Sequence, residues 1–271
     1  MRMMLSLPRR HAMLAALAAG VAPSARAAAD AAADNDPWPA LAGQIFNDRP
    51  IADGSAVLGI DAPYRAEDAA VVPISLRTLP PPGDHVRSIT LVIDQNPSPL
   101  AAKFVLGENS GIRNIATRIR VDSYTNIHAV AESPDGSLVA AERFVKAAGG
   151  CSAPAAKQEA DSIPLGTMRF RQFPPGSDPD RREVQLMIRH PNYSGMQMDQ
   201  LTRLYVPAHF VSSIKIWQGD DLLLGVETGI SISENPEFRF DYRPNGATAF
   251  RAEVQDSEGG LFKQSWSVPR V

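Results

Sequence analysis

The sequence predicts an all-β protein, two β-sandwich domains joined by a flexible linker that carries the chain's one cysteine. Three observations predict it. Apolar residues recur with period two in short runs, as in IATRIRVDS, where Ile115, Thr117, Ile119 and Val121 share one face and Arg118 and Arg120 the other. Turn-forming clusters punctuate those runs at short intervals, which is the spacing of sandwich strands. The stretch 147–163 breaks the pattern, because it is made almost wholly of Ala, Gly, Ser, Pro, Lys, Gln, Glu and Asp and has no apolar period.

Taken in order, residues 1–27 place Arg2, Arg9 and Arg10 before an apolar run from Ala12 to Val21 and end on Ala25-Arg26-Ala27. Basic residues, a short apolar run and an A-x-A site describe a cleaved export signal, and the run falls short of the roughly 18 residues a membrane span needs. The Arg9-Arg10 pair leaves both the general secretory and the twin-arginine route open. PWPALAGQIFND then sets Trp38, Leu41, Ile45 and Phe46 at helical spacing, which predicts one short amphipathic helix. NIHAVAESPDGSLVAAERF reads as a hairpin with its turn at Ser133-Pro134-Asp135-Gly136. Beyond the linker, alternation resumes at Val184, Leu186 and Ile188, at Phe238, Phe240 and Tyr242, and at Phe250, Ala252 and Val254. Turns at Gly219-Asp220-Asp221 and Asp256–Gly260 separate these strands. The expected division is 1–27 export signal, 36–146 first sandwich with its helix, 147–163 linker and 164–271 second sandwich. No motif is duplicated between the halves.

A composition of 44% hydrophobic and 21% charged residues is that of a chain able to bury a large core, not of a disordered or fibrous one. The formal net charge is −3, and cleavage after Ala27 takes it to −7, since the leader holds Arg2, Arg9, Arg10 and Arg26 and no acid. An acidic mature protein is a poor partner for nucleic acid. No segment supplies a membrane span, so the expectation is a periplasmic protein without membrane insertion.

Chemistry centres on Cys151 in KAAGGCSAPAAKQEAD. An unpaired thiol in an exported protein is buried, joined to another chain or kept free for chemistry. Gly149 and Gly150 before it, and Ser152, Ala153 and Pro154 after it, offer nothing to pack, which predicts an exposed, mobile thiol. A mobile thiol lacks the fixed base of a catalytic nucleophile but suits a covalent handle on a flexible arm formed by Gly149, Gly150, Ser152 and Ala153. The leash from Val145 to Cys151 would reach about 20 Å fully extended.

His85, His128, His190 and His209 are scattered without ligand spacing and without a second cysteine, so they are read as structural and no metal or cofactor is expected. Gly149 and Gly150 lack the frame of a phosphate loop. The stripe Phe238, Phe240, Tyr242 is core, and the alternating Arg239, Asp241 and Arg243 form a solvated face.

Several pieces, in order, resemble a known family. DQNPSPLAAKF, the RIR strand, the Asp135-Gly136 hairpin and the terminal GGC are similar to SoxY; His190-Pro191 with Gly195, VPAHFV at 206–211, ISENPEFRF at 232–240 and the DSEGG turn resemble SoxZ. The chain resembles the SoxYZ sulfur carrier of sulfur and thiosulfate oxidation fused into one chain, of the type associated with quinoprotein alcohol dehydrogenases. The resemblance implies two immunoglobulin-like sandwiches packed on each other, with no catalytic site and with Cys151 as the covalent attachment point. It also implies Sox-type partners, a c-type cytochrome and a sulfate-releasing hydrolase, or a PQQ-dependent dehydrogenase system. In SoxY the arm ends GGCGG; here Ser152 and Ala153 replace the last two glycines and the arm is internal. Two other readings stay open: an interaction or maturation module for a quinoprotein dehydrogenase with Cys151 as redox sensor, and a cysteine-nucleophile enzyme.

Overall fold

The computed structural model describes residues 36–79, 85–154, 163–176 and 178–268. The expected export signal lies outside the described residues, as does 155–162 of the expected linker. From Pro37 to Val271 the chain is one compact unit.

Helix α1, Trp38–Phe46, starts at Pro37 and ends where Asn47 turns left-handed at φ 55°. Its Phe46 packs with Val130 and Leu138, and Trp38 stacks on His128 at 3.7 Å. The first half then supplies β1 (Ile51–Asp53), β2 (Leu58–Asp61), β3 (Val72–Thr78), β4 (Ser88–Ile93), β5 (Leu100–Leu106), β6 (Asn114–Ile119), β7 (Thr125–Glu132) and β8 (Leu138–Val145). The second half supplies β9 (Met168–Gln172), β10 (Arg182–Ile188), β11 (Val211–Gln218), β12 (Asp221–Thr228), β13 (Glu237–Tyr242), β14 (Ala249–Asp256) and β15 (Leu261–Ser267). The predicted hairpin turn at Ser133–Gly136 joins β7 to β8, and the predicted turns at Gly219–Asp221 and Asp256–Gly260 join β11 to β12 and β14 to β15. Among the described residues no helix is long and apolar enough to cross a membrane.

Both sheets run through both halves. One has nine strands in the order β1-β8-β7-β4-β5-β12-β11-β14-β15, the other six in the order β2-β3-β6-β13-β10-β9. The halves join where β12 pairs antiparallel with β5, Leu224 opposite Leu106 through Thr228 opposite Ala102, and where β13 pairs with β6 at Arg239–Ala116 and Phe240–Ile115. A single apolar cluster includes Ile74, Leu91, Phe104 and Ile115 from the first half and Leu186, Ile214, Phe238 and Phe250 from the second. Period-two burial is sharpest in β3, β13 and β14, as expected for strands with one face on the core.

Alternation misplaces Arg120. Ile119, Arg120 and Val121 are all buried, so Arg120 is not on a solvated face. β6 ends at Ile119, and the second half's segment 230–233 covers the strand end there: Arg120 N–H donates to the Ser231 carbonyl at 2.7 Å and Ser233 N–H to the Arg118 carbonyl at 3.1 Å.

Candidate functional site

The arm leaves β8 at Val145 and does not swing free. Lys146 N–H donates to the Tyr64 carbonyl at 2.8 Å, Gly149 N–H to the Asp122 carbonyl at 2.8 Å and Gly150 N–H to the Val121 carbonyl at 3.0 Å. Gly149 takes φ +78°, a left-handed conformation that glycine adopts without steric penalty. Gly150 is required by space: a Cβ there would stand 2.0 Å from the Ala69 carbonyl oxygen. The glycines that suggest mobility from composition serve here to let the arm dock closely.

Cys151 is therefore buried, 0% exposed, contrary to the expectation of an exposed thiol. Its carbonyl accepts the Ser194 hydroxyl from the second half. Ser152 is exposed and its hydroxyl donates to the Gly149 carbonyl at 3.3 Å, while Ala153 is half-buried. Burial pushes the Cys151 thiol up to about 11, the Asp122 carboxylate adds to that, and the Arg120 guanidinium opposes it. A docked Cys151 is thus a neutral, weakly nucleophilic thiol at pH 7.

Two side chains to which sequence reasoning gives no role build the seat. Asn96 is buried; its Nδ2 donates to the Arg120 carbonyl at 2.8 Å and to Ser231 Oγ at 2.9 Å, and its Oδ1 accepts Asp122 N–H at 2.8 Å. It fixes the strand end against which Gly149 and Gly150 dock. Asn192, left-handed at φ 48°, donates from Nδ2 to the Ile232 carbonyl at 3.1 Å and accepts Val211 N–H at 2.9 Å, which positions Ser194 two residues on. Both asparagines follow the rule that a buried amide must spend its donors and acceptors. Their place beside Pro97 and Pro191 was the available signal.

The structure also gathers histidines that spacing keeps apart. Donor atoms of His190, His209 and Asp256 lie within 4.8 Å of one another. His209 Nε2 is 2.9 Å from Asp256 Oδ2, and His190 Nε2 is 3.7 Å from the same oxygen, buried and unpartnered. His190 Nδ1 accepts Asn192 N–H at 3.0 Å, so the neutral ring carries its proton on Nε2. Nε2 is then a donor aimed at Asp256 rather than a lone pair for a metal. Burial, with the neighbouring His209 charge, depresses His190 to about 4 and keeps it neutral. His128 is elsewhere, held between Asp94 at 3.0 Å and Glu142 at 3.2 Å.

The division of the chain around Cys151 is matched by two protein families. Residues 42–151 match "Sulfur oxidation protein SoxY", and residues 175–267 match "Sulphur oxidation protein SoxZ". The chain fuses a SoxY domain to a SoxZ domain. Cys151 is the last residue of the SoxY match. No curated protein matches the chain. Among solved structures, the sulfur carrier protein SoxY from Chlorobium limicola f thiosulfatophilum shares 26% identity, covering 44% of this chain and 98% of its own, at a TM-score of 0.35. Two variants of a superoxide reductase (neelaredoxin) from Ignicoccus hospitalis each share 12% identity over 33% of this chain and 78% of their own, at 0.30. In this SoxY–SoxZ fusion the SoxY domain is β1 to β8 with the arm, and the SoxZ domain provides Ser194 and the 230–233 segment that close over it.

Proposed function

We propose that this SoxY–SoxZ fusion is a periplasmic, non-enzymatic carrier in sulfur-compound oxidation, holding a sulfur-containing group covalently on Cys151. The observation that carries the reading is the position of that thiol, on a short arm that ends the SoxY domain and that, beyond Lys146, is held to its surroundings by two glycine N–H groups and the Ser194 hydroxyl. Docked, the arm shelters the sulfur; released, it presents the sulfur to Sox-type redox and hydrolytic enzymes. Activation of the thiol then occurs in the partner's site, because the docked thiol is raised rather than lowered. The cysteine-enzyme reading fits poorly for the same reason, as a nucleophile needs an adjacent base or a depressed pKa.

The test is intact-mass analysis of the protein recovered from its own host during sulfur oxidation. Reducible, sulfur-containing adducts mapping to Cys151 are expected, and a homogeneous free thiol would sink the carrier reading. A second reading, a maturation or interaction module for a quinoprotein dehydrogenase, leaves Cys151 as a buried structural residue, since a redox-sensor thiol needs exposure and a low pKa. In that case Cys151→Ser leaves sulfur oxidation intact and dehydrogenase assembly fails without the β-domains.

A further inference from the structure

Arg120 is a buried cation to which the described residues supply carbonyls but no close anion. It is 1% exposed, its Nη1 donates to the carbonyls of Ile232 at 2.5 Å and Ile230 at 3.3 Å, and its Nε is buried with no acceptor. An arginine stays charged in a protein, and a buried charge is tolerated when it is paired and hydrogen-bonded. Burial works against its proton; the groups whose negative charge would favour it are Cys151, when ionised, first and Glu234 second.

Backbone geometry explains why Cys151 comes first. Gly150 is bonded to the carbonyl of Val121, the residue after Arg120, so Cys151 is laid down beside the same strand end. The Ile232 carbonyl that accepts Arg120 Nη1 also accepts Asn192 Nδ2, and Ser194, two residues further, holds the Cys151 carbonyl. Arg120 and Cys151 are thus bracketed by one pair of SoxZ segments. With the thiol neutral, Cys151 supplies the cation no counter-charge.

We propose that Arg120 is the receptor for a negatively charged group carried on Cys151 in the docked arm, a sulfonate or persulfide-type sulfur anion. The planar guanidinium fork matches such oxyanions, and its unpartnered Nε–H is the donor left over for one. An anionic cargo completes the ion pair that the unloaded site lacks, whereas a neutral or cationic cargo leaves the charge uncompensated. The inference rests on the carrier reading and adds to it the residue that recognises the charge of the cargo.

The experiment loads Cys151 of the full mature chain with two methanethiosulfonate reagents, 2-sulfonatoethyl and 2-(trimethylammonio)ethyl. In each case the thiolate forms a disulfide with the reagent's sulfenyl sulfur and expels methanesulfinate, so the two adducts share their linkage and differ in charge. Removal of each by dithiothreitol is timed in the folded protein and divided by its rate in the urea-unfolded chain. A charge-assisted hydrogen bond predicts that the anionic adduct is removed about tenfold more slowly than the cationic one, because it keeps the arm docked. Arg120→Met should bring the ratio to near one and Arg120→Lys should retain part of it. Equal normalised rates in the unaltered protein overturn the proposal without any variant, so it stays testable if Arg120→Met does not fold. Native adducts together with equal rates keep the carrier reading and overturn the Arg120 role. A tenfold ratio on a chain never adducted in its host does the reverse.

Discussion

Gly150 is the residue at which the arm has least freedom to change. A Cβ there meets the Ala69 carbonyl oxygen at 2.0 Å and the Val121 oxygen at 2.7 Å, both of them backbone that cannot step aside. Gly150→Ala should undock the arm, raising the rate of Cys151 alkylation by iodoacetamide at pH 8 by about tenfold or more, since overpacking of this kind costs about 1–3 kcal/mol. Gly149→Ala meets nothing within 4 Å and bears only the left-handed strain, about 1–2 kcal/mol, so its effect should be smaller. The pH profile of alkylation separates docking from simple accessibility. The docked thiol sits at about 11 against an ordinary 9.0, so docking holds on to the proton. Docking stability is complete below pH 9 and is lost as pH rises from 9 towards 11, because the released arm gives up its proton first. The unaltered protein should therefore show an inflection near 11, and Gly150→Ala one displaced back towards 9; identical profiles would mean that the arm is not docked in solution. None of this was legible in KAAGGCSAPAAKQEAD, where composition reports what the arm lacks and is silent on Ala69, Val121 and Ser194 that receive it.

Strand β6 shows what period-two patterning reveals and where it stops. Ile115, Thr117 and Ile119 are buried and Asn114 is exposed, as the alternation predicts, but the rule assumes that one face stays open. Beyond Ile119 the SoxZ domain covers that face, and Arg120 becomes buried by a partner more than a hundred residues away in sequence. The other end of β6 depends on the same domain. Asp241 on β13 accepts Arg113 N–H and Asn114 N–H at 2.8 Å through Oδ1, and Asn114 Nδ2 and Arg181 Nε at 2.9 Å through Oδ2. Alternation alone puts Asp241 on a solvated face; it is instead the clasp of the β6–β13 seam. Asp241→Ala removes four accepted bonds and leaves the mostly buried Arg181 cation without its carboxylate. A loss of about 2–4 kcal/mol in urea-unfolding free energy is expected, and a loss below about 0.5 would show the seam to be held elsewhere.

At the scale of the molecule, two family matches occupy one pair of sheets. The β-sandwich architecture was legible, because strand period is local; the pairing of β5 with β12 and β6 with β13 was not, because register across halves has no local signal. Continuous sheets and one shared core predict a single cooperative unfolding transition, with calorimetric and van't Hoff enthalpies in agreement. Cutting the chain between Pro154 and Ile163 should leave the two pieces associated on gel filtration, and separation into two folded monomers would contradict the shared sheets. The Ser194 hydroxyl, which joins the SoxZ domain to the Cys151 carbonyl, has a consequence for traffic. On the carrier reading, every enzyme that calls on the sulfur meets the same closed arm, so each observed affinity is the intrinsic one scaled by the fraction of time the arm is open. One hydrogen bond of about 1 kcal/mol alters that fraction about fivefold. A single serine thus acts as a common multiplier on all visitors, setting throughput without favouring any one of them.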